Sequence, residues 1–79
     1  MTAVDRELFF RRVAEILQVS PEEFEAGGRR LPEDPDSVVL LDLMALVDEL
    51  TGVALSPDAL KSAKTADAIL ELTESSVAQ

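Results

Sequence analysis

The chain contains no cysteine and no histidine among its 79 residues. Those two absences remove a disulfide framework, a zinc site built from the usual ligands, and both common histidine-based schemes of catalysis. Strand patterning and internal repeats are missing as well, since nowhere do apolar and polar residues alternate over the length of a strand. The first residues, MTAVDRELFF, lack the basic start and long apolar run of a secretory signal. No apolar run approaches the roughly 20 residues of a membrane span, so the expected location is the cytoplasm. Size excludes something too. A chain this short buries only about 60% of the surface its unfolded form exposes, which leaves little room for a deep catalytic cleft.

Bases are scarce. Sixteen Asp and Glu stand against seven Lys and Arg, for a formal charge of −9. The excess is uneven: residues 1–33 hold five Arg and seven acids, whereas residues 34–79 hold two Lys and nine acids. Such a field repels nucleic acid and anionic membrane, and it speeds association with a partner that presents a basic patch. The same acids also keep a small domain soluble, and composition does not separate the two roles. With 47% apolar residues at regular spacings, the chain is expected to fold as one domain over residues 1–79, with a core at about 5–73 and a flexible tail from Glu74 to Gln79.

Helical periodicity carries the rest. In residues 5–18, Phe9, Phe10, Val13, Ile16 and Leu17 recur at three- and four-residue spacings, with Asp5 as the cap or Thr2 and Asp5 as a capping box one turn earlier. Ser20-Pro21-Glu22-Glu23 reads as cap, first helical position and return contact, enough for a short helical turn. Residues 25–36, EAGGRRLPEDPD, hold two Gly and two Pro without apolar rhythm and are expected to form a long loop. Leu40, Leu43, Leu46, Val47 and Leu50 then mark the core face of the most apolar helix, residues 37–50, which Gly52 stops. Ser56-Pro57-Asp58 caps a short helix carrying Leu60. Thr65 caps a final one with Ala66, Ile69, Leu70 and Leu72 inward. The expected fold is all-α: a four-helix bundle of three main helices and one short one, with a long loop between the first and second.

The helix at 37–50 has a second apolar stripe, Val38, Leu41 and Ala45, bordered by Asp42, Asp48 and Glu49. A helix buried on one face only does not need it. At its start, Asp34 and Asp36 do not make a calcium loop, because the required glycine falls on Val39 and the closing glutamate on Ala45. Ser37 as a nucleophile lacks a base nearby in sequence, and Lys61 and Lys64 read as surface residues. The chain is therefore expected not to be an enzyme. Two readings of Ser37 remain: an ordinary helix start, or an attachment point whose phosphoester anion the helix N-terminus would favour.

These residues resemble the acyl carrier protein family, including its peptidyl carrier relatives. The likeness rests on Asp36-Ser37-Val38 followed by Asp42 and Leu43, on Gly52-Val53-Ala54-Leu55, on the Val19 to Phe24 turn, and on Thr65-Ala66-Asp67-Ala68-Ile69. It spans about residues 5–73. The resemblance implies that Ser37 receives 4′-phosphopantetheine from coenzyme A through a phosphopantetheinyl transferase, and that the arm carries acyl or aminoacyl groups as thioesters. It further implies docking through Asp36, Val38, Leu41, Asp42, Ala45, Asp48 and Glu49. The partners would be a loading enzyme, acyltransferase or ketosynthase with a basic patch, with the carrier itself a monomer. Glu33 and Asp34 stand where the family has an apolar residue and glycine, and Val39 and Thr51 where it has a polar residue and phenylalanine. Those departures point away from housekeeping fatty-acid synthesis, toward a free-standing carrier of bacterial polyketide or peptide specialised metabolism such as antibiotic biosynthesis. The alternative from another class is an unmodified carrier-like module that binds a basic partner through its acidic helix.

Overall fold

Side-chain caps define where each helix begins. In the computed structural model, which describes residues 5–77, the elements are α1 (Arg6–Leu17), α2 (Pro21–Ala26), α3 (Ser37–Thr51), α4 (Pro57–Ser62) and α5 (Ala66–Val77). Asp5, Ser20, Asp36, Ser56 and Thr65 each accept a hydrogen bond at 3.1 Å from the backbone N–H three residues on. Each thereby satisfies one of the orphan donors of a helical first turn. Thr2, the other candidate at the first helix, lies outside the described residues. Glu23 returns the contact at α2, accepting from the Ser20 hydroxyl at 3.1 Å.

The chain is helical, as expected, and among the described residues the only β-type pairing is an isolated bridge between Arg30 and Thr65. The element count differs from the expected four. Residues Pro21–Ala26 complete a helix of their own, because a cap, a proline at the first position and two acids in the first turn all favour the same six residues. The last helix also runs on to Val77 instead of fraying from Glu74.

One cluster forms the core. Phe9, Val13 and Ala14 of α1, Phe24 of α2, Leu40, Leu43, Leu46 and Val47 of α3, Leu60 of α4, and Ala66, Ile69 and Leu70 of α5 are buried together. α3 lies at the centre, packed on α1 and α4. Phe10, Ile16, Leu17, Leu50 and Leu72, expected inside, are half-buried around its margin. Thr73, whose polarity hid it from a hydrophobic pattern, is buried, and its hydroxyl donates to the Leu70 carbonyl at 2.7 Å. That bond spares the hydroxyl the desolvation penalty of an unpaired buried donor.

The long loop is 27–36 and not the expected 25–36, because Glu25 and Ala26 complete the last turn of α2, and it is tied down. Gly28 and Arg29 adopt consecutive left-handed conformations, φ +79° and +57°, which turn the chain back after α2. Left-handed backbone is unfavourable for a residue with a Cβ, so Arg29 must be held by something else. Its guanidinium donates to both carboxylate oxygens of Asp67, at 2.7 and 3.0 Å, and to Glu25, and stands 4.5 Å from the Phe10 ring centroid. The backbone adds two bonds of 2.9 Å, Ala66 N–H to Arg29 O and Leu31 N–H to Lys64 O. The hydrogen bond from Arg29 holds the Asp67 carboxyl below the usual carboxylate range, with Arg6 helping from 3.7 Å. Asp67 in turn keeps Arg29 more firmly protonated. The loop thus delivers Asp36 to the start of α3 from a fixed base on α5.

Candidate functional site

Asp36, not Ser37, caps α3. Asp36 is extended at φ −76°, ψ 170°, and its Oδ1 accepts from Val39 N–H while its carbonyl accepts from Leu40 N–H at 3.0 Å. Pro35 before it has no N–H to satisfy and pushes Asp34 toward extended backbone, so the chain enters the helix without competing turns. Ser37 is then the first helical residue, exposed, and its hydroxyl makes no hydrogen bond to any described residue. The N–H groups of Ser37 and Val38 have no intrahelical acceptor at this end of the helix. A hydroxyl free of structural duty therefore sits beside two unengaged donors and the positive end of the α3 dipole.

The second apolar stripe is on the surface. Val38 is 64% exposed and Leu41 63%, and Ala45 is exposed with them. At about 100° per residue these three fall within roughly 60° of one another, nearly opposite the mean direction of Leu40, Leu43, Leu46 and Val47. Asp42 and Glu49 lie along one edge of the stripe and Asp48 along the other, the edge shared with Ser37. All three acids are exposed. Asp42 and Asp48 make no ion pair among the described residues, while Glu49 has a long contact of 4.0 Å with Arg12. Asp36 is partly spent on its cap. The free charge beside the stripe is thus carried chiefly by Asp42 and Asp48.

The end of this face follows from Thr51 and Gly52. Thr51 donates to the Val47 carbonyl at 2.6 Å and accepts from Val53 N–H at 3.0 Å. Gly52, at φ +75°, then reverses the chain and donates to the Asp48 carbonyl at 2.8 Å. A hydroxyl at position 51 thus fastens the helix end by hydrogen bonds, where a larger apolar residue would do so by packing.

Three surface cavities have their walls elsewhere. One of about 300 Å³ lies between Leu17, Val19, Phe24 and Pro32; another of about 430 Å³ is lined by Phe10, Pro21 and Arg29. The third, of about 530 Å³, brings Lys61 and Lys64 against Arg30 and Leu31. No local pattern joins Arg30 to the two lysines, which lie 31 and 34 positions further along the chain. The i, i+3 spacing of the lysines was the one available signal. No described helix is long and apolar enough to cross a membrane.

Comparison with known proteins returned no match: no family model, no curated sequence and no solved structure matches the chain.

Proposed function

We propose that the chain is a carrier protein whose Ser37 bears 4′-phosphopantetheine. In the loading step the Ser37 Oγ attacks the phosphorus that bears pantetheine in coenzyme A. The diphosphate bond breaks, adenosine 3′,5′-bisphosphate leaves, and the hydroxyl proton passes to a base of the transferase. When bound, the arm would supply a terminal thiol able to hold an acyl or aminoacyl group as a thioester, taken from an activated donor whose leaving group departs in the loading enzyme, with Ser37 as the residue that holds the arm. The chain itself catalyses nothing; it presents the arm and is recognised by partner enzymes of a cytoplasmic polyketide or peptide pathway.

The observation that carries this reading is the separation of duties at the start of α3. Asp36 satisfies the cap, which leaves Ser37 exposed at the head of an uncovered stripe, Val38, Leu41 and Ala45. A serine kept only as a helix start would be expected to use its hydroxyl as the cap, as Ser20 and Ser56 do. In this reading α1, α3 and α5 are the three long helices of a carrier bundle, α4 is its short one, and α2 is an added turn within the first connection. Docking would seat the stripe on a partner's apolar surface while Asp42 and Asp48 meet its Arg or Lys.

Intact mass after incubation with coenzyme A and a promiscuous phosphopantetheinyl transferase tests the proposal. The expected result is one phosphopantetheine adduct on the wild type and none on Ser37→Ala. An unmodified wild type, or an adduct that survives the substitution, overturns the assignment.

A further inference from the structure

Among the described residues, Val19, Val38 and Leu41 are the large apolar side chains that stay exposed. Val38 and Leu41 belong to the α3 stripe. Val19, 40% exposed, has no part in the core or in that stripe. It lines the cavity of about 300 Å³ instead, together with Leu17, Phe24 and Pro32.

A polar, cationic cavity of about 530 Å³ adjoins this apolar one, since Arg30 and Pro32 wall both. It sets Arg30, Lys61 and Lys64 against a single acid, Glu33. Three of the seven bases thus gather at one concave place in a chain of net charge −9. Their side chains are exposed, and among the described residues none of them makes an ion pair, although Arg6, Arg12 and Arg29 all do. Leu31 N–H donates to Lys64 O at 2.9 Å and Arg30 pairs with Thr65 as the isolated bridge, which fixes the loop wall against the end of α4. At the apolar end the one acid is Glu23, whose carboxylate accepts from the Ser20 hydroxyl at the start of α2. An apolar end and a cationic end are therefore held side by side.

We infer that the two cavities together dock an extended acidic segment of a partner protein, with one large apolar side chain of the segment beside Val19 and Phe24 and the carboxylates that follow it on Arg30, Lys61 and Lys64. Charge selects this occupant. Unpaired cations are matched by carboxylates, whereas a nucleic acid or an anionic bilayer extends past the cavities and meets the field of the remaining acids. At about 0.1 M salt the Debye length is about 10 Å, so a short segment seated on the cations is shielded from the more distant acids. A cavity of about 300 Å³ has room for one large side chain, and a buried apolar anchor is what carries most of the energy in such contacts. The surface shares no residue with the α3 face. A partner held here leaves Ser37 and its stripe open, and the docking holds whether or not Ser37 is modified.

The test titrates the isotope-labelled protein, at about 0.1 M salt, with the end-capped peptide Gly-Leu-Gly-Glu-Glu-Glu and follows backbone amide NMR shifts. The amides of Leu17, Val19 and Phe24 should move together with those of Arg30, Leu31, Lys61 and Lys64, along one binding curve. Lys61→Gln/Lys64→Gln should raise Kd by about 2- to 30-fold, the range for two exposed charge pairs, with the unfolding temperature unchanged because both side chains are exposed. Val19→Asp, which sets a carboxylate at the apolar end, should weaken binding as well, and Leu41→Ala on the α3 face should leave it as in the wild type. No shift at millimolar peptide overturns the inference. Equal affinity for Gly-Gly-Gly-Glu-Glu-Glu, or the same shifts with inorganic phosphate, shows a site for small anions alone and overturns it too. If the same amides move with the concentration of the protein itself, the occupant is a second copy of the chain and the partner segment is wrong. None of these outcomes touches the loading of Ser37, which intact mass reads separately.

Discussion

Leu41 and Leu43 sit two positions apart on α3, so truncating each to alanine makes the same chemical change in the same helix with the same gain in helix propensity. Their surroundings differ: Leu41 is 63% exposed and Leu43 2%. Leu43→Ala leaves a cavity in the central cluster and is expected to cost about 2–5 kcal/mol. For a domain of this size each kcal/mol lowers the unfolding temperature by about 4–8 °C. Leu41→Ala removes side chain that is mostly hydrated already, and should change stability by less than about 0.5 kcal/mol. The proposed docking would reverse the order. Full burial of a leucine is worth about 1.5–3 kcal/mol, and the part of Leu41 still exposed makes about 1–2 kcal/mol of that available to a partner. Leu41→Ala should therefore weaken binding to the transferase by about 5- to 30-fold. Calorimetric unfolding and titration binding on the two variants measure both effects. A Leu41→Ala protein that unfolds like Leu43→Ala, or one that binds its transferase with wild-type affinity, refutes the docking face.

Three further outcomes are expected. Asp48→Lys places a cation in the last turn of α3, where the helix dipole prefers one, and should raise stability by about 0.5–1 kcal/mol while slowing transferase association at low salt; stability and association rate moving together would show that Asp48 has only a local role. Asp67→Asn should destabilise the protein at pH 7. Because Arg29 holds the Asp67 carboxyl below its unfolded value, the pair's contribution is present above about pH 4 and is lost as pH falls through the lower, folded value. The gap between variant and wild type in denaturant unfolding should therefore narrow at pH 3, and a gap that stays constant points away from the ion pair. Thr51→Val keeps the shape at the end of α3 and removes both hydrogen bonds of the hydroxyl, so a loss of about 1–3 kcal/mol is expected by the same unfolding assay.

Local chemistry made the helices legible. Each cap is a short polar side chain three residues before the N–H it satisfies, and that relation is written in consecutive residues. The core face of α3 was equally plain, because 3.6-residue periodicity needs no knowledge of what lies opposite. Failures occurred where a distant residue decided the outcome. Nothing near Arg29 reveals that Asp67 will meet it, so residues 25–36 read only as a long loop in the sequence. Phe10 fits the core pattern, yet it is half-buried because Arg6 and Arg29 both stand over its ring. Within the site, the exposure of Val38 and Leu41 could be read from the sequence as a surplus of apolar positions. The gathering of Arg30 with Lys61 and Lys64 could not, since it depends on the loop folding back to α4.

α3 departs from local helix preferences twice, and both departures fall on its outward face. Val38 and Leu41 stay in water although burying either would stabilise the chain. Asp48 and Glu49 occupy the last turn, where the dipole disfavours acids and where the helix carries no base. Either feature alone is common on protein surfaces. An accident of packing would account for the apolar pair but not for the acids, and a demand for solubility would account for the acids but not for their position at the wrong end of the helix. A partner that buries the stripe and presents cations along its edges makes both favourable at once. Local rules broken together on one face, with the core face of the same helix regular throughout, support the docking proposed for α3.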